Sequence, residues 1–167
     1  MPDTLRRAVA AHLDSRDVTR VLYGAIIGLA LVVALQSHPP SVGQAIAAIV
    51  GTAVAVGLAE MYSELVGGEA RTHARVRLAE VRAAALESAA VMLGAGFPVL
   101  FFVLAAAGAF DVGLAYTLSK WTGLGLICAY GFVAGRLSGS GTGGALLHAL
   151  AVGAVGGALI GVKALLH

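Results

Sequence analysis

Two glutamates four residues apart, Glu60 and Glu64, lie in the stretch GLAEMYSELVGGEA (57–70), together with Met61 and Glu69. On a helix that spacing puts both carboxylates on one face, about 6 Å apart. Ala53 and Gly57 continue the face with small residues, so another helix can approach it closely. Glu87 and His148 are the other ionisable residues expected at similar depth. Carboxylates combined with a thioether and an imidazole suit a first-row divalent ion, which makes Glu60, Met61, Glu64, Glu87 and His148 candidate metal ligands. Without a cation, carboxylates held this close must share protons. The competing reading is an ordinary helix end. Residues 42–59 already cover roughly 27 Å, enough to bring Glu60 and Glu64 out to water. The residues alone leave both readings open.

The elements that must position these groups are apolar. The chain has 167 residues, 59% of them hydrophobic and 12% charged, with 23 glycines and a mean hydropathy of +0.90. A soluble domain carries about 25% charged residues, so this chain has too little polar surface to cover a water-soluble core. Five apolar segments are read, at about 20–37, 42–65, 84–107, 112–135 and 144–166. Each is close to the roughly 20 residues a helix needs to cross the hydrocarbon core. SHPPS (37–41), GAFD (108–111) and GRLSGSGTGG (135–144) separate them, since prolines and glycine clusters do not continue a helix. The expected fold is an all-α, multi-pass membrane protein with a transmembrane domain over 20–166. Residues 1–19 precede it, with Leu5, Val9 and Leu13 at the spacing of a short amphipathic helix.

Charge sets the expected orientation. Arg6, Arg7, Arg16, Arg20, Arg71, Arg75, Arg77, Arg82 and Arg136 fall on one side, and the opposing loops carry only Asp111. By the positive-inside rule the N-terminus is cytoplasmic and, after five spans, the C-terminus is not. Lys120, inside the fourth span beside Trp121, is expected to snorkel to the far surface. Small residues at every fourth position, Gly24 and Gly28 in the first span and Gly153, Gly157 and Gly161 in the fifth, mark expected close-packing faces.

Several function classes are set aside. The first apolar run leads to no small-residue cleavage site and further spans follow, which reads against a secretory signal. Cys128 is the single cysteine, so no disulfide framework is expected, and a net charge of +2 gives no reason to expect nucleic acid. GSGTGG (139–144) matches a dinucleotide fingerprint formally but follows no strand and reads as a turn. Ser119 and His148 fall in opposite halves of the membrane, so no nucleophile–base pair is expected, and the chain is not read as an enzyme.

Four stretches resemble the vacuolar iron transporter family in order: RVLYGAIIG (20–28), GLAEMYSELVGGE (57–69), LGAGFPVLFF (93–102) and GFVAGRLSGSGTGGALLHALAVGAVGGALIG (131–161). The resemblance implies five spans, a cytoplasmic N-terminus, a homodimer, and proton-coupled export of Fe2+ or Mn2+. Two departures accompany it. Ile27 stands where the family's first helix carries an aspartate of the conduction path. The connection GGEARTHARVRLAEVR (67–82) replaces a glutamate-rich cytoplasmic module, leaving Glu69, His73 and Glu80 as a remnant of its capture surface. The expected function is therefore divalent-cation transport or binding in a bacterial-type plasma membrane or an organelle membrane, with the lipid bilayer as surroundings. The alternative is a scaffold or regulatory subunit that keeps the fold without transporting.

Overall fold

The computed structural model describes residues 15–72 and 76–165. The expected amphipathic segment over 1–19 falls almost wholly outside them, as does His73. Among the described residues every regular element is a helix: α1 (Ser15–Leu35), α2 (Val42–Thr72), α3 (Leu78–Gly96), α4 (Val99–Ala106), α5 (Val112–Leu137) and α6 (Thr142–Leu165). A helix lies over each of the five apolar segments.

Local chemistry explains most of the helix ends. After α1, Pro39 and Pro40 remove two backbone donors. Ser41 then opens α2 as a capping box: its Oγ accepts from the Gln44 N–H at 3.4 Å, and the Gln44 Oε1 accepts from the Ser41 N–H at 3.0 Å. Asp111 caps α5, accepting from the Leu114 N–H at 2.9 Å. Gly108 and Gly139 take the left-handed conformation (φ 80° and 81°) just past α4 and α5. There the chain closes in Schellman fashion, with Ala109 N–H on the Leu104 carbonyl and Ser140 N–H on the Gly135 carbonyl.

The boundaries differ from the sequence expectation in several places: α1 begins at Ser15 and α3 at Leu78, five and six residues ahead of the expected starts at 20 and 84. The second helix continues seven residues beyond position 65, to Thr72, so its 31 residues span about 46 Å against a hydrocarbon core of about 30 Å. The third segment is broken. Pro98 has no N–H to give to the preceding turn, and α3 and α4 meet at a 52° bend. Among the described residues, Val18–Leu35 and Val42–Arg71 are long and apolar enough to cross a membrane, and the bent pair makes a third if it acts as one span.

Contacts between helices set their directions. Arg20 meets Glu87 and Gly28 meets Ala95, so α1 and α3 run parallel. Gly57 lies against Met92 and Ala53 near Gly96, so α2 runs antiparallel to α3. Gly135 faces Ala145 and Gly131 faces Ala149, which makes α5 and α6 an antiparallel pair. The register brings Arg20, Glu60, Glu64 and Glu87 to one end of the bundle. At the other end Val32, Ala45, Ile49, Phe102, Ala115 and Tyr116 form a buried cluster, with the Phe102 and Tyr116 rings edge to face at 4.8 Å.

Glycines decide where backbones touch. A Cβ on Gly24 would strike the Val91 carbonyl oxygen and one on Gly94 the Val21 carbonyl oxygen; one on Gly28 would lie 2.6 Å from the Ala95 oxygen. In α6 the close positions are Gly153, against the Cys128 sulfur, and Gly156, against Leu124, Ile127 and Leu29. Gly157 and Gly161 have nothing within 4 Å of a built Cβ. The reason is helical pitch. A four-residue step overshoots a 3.6-residue turn by about 40°, so the row that starts at Gly153 winds off the face that meets α5.

Candidate functional site

Glu60 and Glu64 of α2 and Glu87 of α3 converge on one guanidinium. The Arg20 Nη2 donates to the Glu87 Oε2 at 2.6 Å, a short charge-assisted bond. The same nitrogen stands 3.9 Å from the Glu64 Oε2, and the Arg20 Nε stands 3.7 Å from the Glu60 Oε1. Arg71 approaches Glu64 from the outside at 3.7 Å. Arg20 is the most enclosed member, its side chain 13% exposed, with Nη1 buried and unpartnered. Three helices are thereby tied at one end.

Each helix delivers its group for a local reason. Glu60 and Glu64 share a face of α2, one turn apart. Glu87 follows Ala83 and Ala84, small residues that let α3 come close. The Arg20 stem lies in the first turns of α1, just before the Gly24 crossing that brings α1 against α3. Glu80 accepts from the Arg77 N–H at 3.0 Å and starts α3, while Glu69 accepts from the Val76 N–H at 3.4 Å across the connection. Glu69 and Glu80 thus order the link between α2 and α3.

Beside the ion pairs is an open cavity of about 170 Å³, lined by Glu64, Glu80 and Glu87 together with Leu65, Val76 and Ala84. Met61 is half-buried next to Glu60, and it is Met92 that packs on Gly57. His148 is exposed on α6, its Nδ1 3.2 Å from the Gly144 carbonyl oxygen. Among the described residues no group of three or more histidine, cysteine, aspartate or glutamate side chains is arranged to hold a metal ion.

Lys120 is half-buried and has no ion-pair partner among the described residues; the neighbouring Trp121 is exposed. Asp111 serves as a helix cap. Ser119 is fully buried, with its Oγ unpartnered.

Arg20 is the residue that sequence reading spends on orientation and so misses as a partner. A signal was present: it is the single charged residue between Val18 and Leu35. An arginine inside an apolar run is costly unless it pairs, and carboxylates at matching depth are its natural partners. Compared with known proteins, the chain matches no family model, no curated protein and no solved structure.

Proposed function

We propose that the protein is a five-span membrane protein that binds a divalent cation such as Fe2+ or Mn2+ at the cytoplasmic ends of α2 and α3, and passes it on. The observation that carries this reading is that Glu64, Glu80 and Glu87 line one cavity, while Glu60, Glu64 and Glu87 share the guanidiniums of Arg20 and Arg71, leaving four carboxylates to two paired cations. The excess negative charge attracts a cation. Binding requires Arg20 to swing aside, so that carboxylate oxygens replace the hydration water of the ion. Proton exchange on Glu60 or Glu64 then couples release. The order of the four stretches that resemble the vacuolar iron transporter family supports the same chemistry. Exposed small residues on α2, with nothing within 4 Å of Gly43 or Gly51, support assembly as a homodimer.

Arg20 also favours a second reading, a non-transporting scaffold or regulatory subunit. A guanidinium already fills the space between the carboxylates, and Ile27 puts an alkyl group where the resembled family has an acid. Thermal melting in detergent separates the two. A metal site saturated at a hundredfold excess over its dissociation constant adds about 2.7 kcal/mol of stability. Wild type is expected to melt higher with Mn2+ or Fe2+, and Glu60→Gln/Glu64→Gln to lose that shift. No shift in the wild type decides for the scaffold.

Orientation has its own test. A reporter fused after His167 is expected on the non-cytoplasmic side, and one inserted near position 75 on the cytoplasmic side. The same side for both would sink the five-span reading.

A further inference from the structure

A second, larger cavity of about 420 Å³ lies between α3 and α5, where both pack on α1. Its lining is apolar: Leu86, Ala89, Ala90 and Leu93 from α3, and Leu126 and Tyr130 from α5, with Val21 of α1 as the floor. Ala89, Ala90 and Gly94 make the hollow because they lack bulk, while Leu86 and Leu93 stand at its rim, each more than two-thirds exposed. Phe97 closes the inner end. Its ring lies over Gly123, where a Cβ would come within 2.8 Å of Cζ, and the Pro98 bend follows at once.

Two features identify the occupant. From Leu86 to Phe97 the groove runs eleven residues of α3, about 17 Å, close to the roughly 15 Å of one leaflet in a hydrocarbon core of about 30 Å. Arg82 is exposed, lies one turn before Leu86, and has no ion-pair partner among the described residues. Positions 82, 86, 90, 93 and 97 share one helix face. The row therefore carries a cation at the end where Arg20 and the glutamates mark the bundle's polar rim, then apolar groove, then a stop at mid-depth. That sequence matches a phospholipid, with headgroup phosphate first and acyl chain after it.

We propose that this groove holds one acyl chain of an anionic phospholipid from the leaflet at the arginine-bearing end, with its phosphate on Arg82. The inference rests on the membrane reading above. A lipid seated there fills the gap between α3 and α5 and braces the half of the broken span that precedes Pro98.

The test uses full-length protein, delipidated in mild detergent and titrated with phosphatidylglycerol or phosphatidylcholine, with bound lipid read by native mass spectrometry. Wild type is expected to retain one phosphatidylglycerol with about fivefold preference over phosphatidylcholine, the increment of one arginine near an anionic surface. Arg82→Gln should remove the preference and keep a chain bound. Ala90→Phe fills the groove and should weaken both lipids about tenfold or more. Retained phosphatidylglycerol affinity in folded Ala90→Phe overturns the proposal.

Should Ala90→Phe not fold, wild type is labelled with phosphatidylglycerol carrying a diazirine on its acyl chain. Labelling concentrated on 86–97 and 126–130 supports the groove; even labelling of the exposed faces of α2 and α6 overturns it. Self-association through this face without bound lipid also overturns it, in favour of a second copy of the chain. Alkaline carbonate extraction separates the two levels: release from membranes defeats the membrane reading itself, whereas retention without bound lipid defeats the groove alone.

Discussion

Replacing Arg20 with methionine is expected to destabilise the protein by about 2 kcal/mol, more than any single glutamate replacement around it. Removing one partner of a buried ion pair typically costs about 3–5 kcal/mol because the other charge is left uncompensated. The cost here falls below that range, towards the ~0–1 kcal/mol of exposed pairs, since Glu60, Glu64 and Glu87 keep side-chain exposures of 32%, 43% and 31%. Methionine preserves much of the stem's packing, so the loss reports charge. Glu87→Gln leaves Glu60 and Glu64 to balance Arg20, and should cost about 1 kcal/mol. Combining Arg20→Met with Glu87→Gln should cost less than the sum of the two, because the second change relieves the repulsion that the first creates. Thermal or denaturant unfolding in detergent measures all three. Wild-type stability in Arg20→Met would show that the guanidinium ties nothing together.

Gly24→Ala is expected to be about as damaging, despite adding one carbon. The new Cβ would fall on the Val91 carbonyl oxygen, and Gly94→Ala makes the reciprocal collision with the Val21 carbonyl. Backbone oxygens cannot rotate away, so α1 and α3 must separate. Overpacking of this kind costs about 1–3 kcal/mol, with the upper end expected where the obstacle is backbone. Gly157→Ala, with open space around it within the chain, should stay within about 0.5 kcal/mol. Equal melting temperatures for Gly24→Ala and Gly157→Ala would show that α1 and α3 do not cross as described.

The helices were legible because their signals are local. Pro39 and Pro40, the glycine before Ala109 and the glycine-rich turn after Leu137 each interrupt an apolar run within a few residues. The bend at Pro98 was harder to read, since proline inside an apolar helix is tolerated when neighbours satisfy the freed backbone. The length of α2 was hidden for another reason. Its last turns, with Glu69 and Arg71, look like loop by composition; in the structure Arg71 reaches back to Glu64 and Glu69 accepts from the Val76 N–H. At the site, the spacing of Glu60 and Glu64 was readable, and so was the level of Glu87. Their common partner was not: Arg20 lies 67 positions from Glu87, and no periodicity links residues across that distance. Glycine spacing had the same limit. It identifies close-packing candidates, while the neighbouring helix decides that Gly153 and Gly156 meet something and Gly157 does not.

The two ends of the bundle are fastened by different forces. Phe102, Tyr116 and the aliphatic residues around them hold one end by shape, through contacts that neither dissolved ions nor protons can reach. The other end is fastened by charge, between Arg20 and partly exposed carboxylates 2.6–3.9 Å away, well inside the Debye length of about 8 Å, so dissolved ions screen the attraction only in part. The molecule is thus built like a pair of tweezers, with a pivot held by packing and a tip held by charge. A change in ionic strength acts at the tip alone, and there only in part, because Arg20 is largely enclosed.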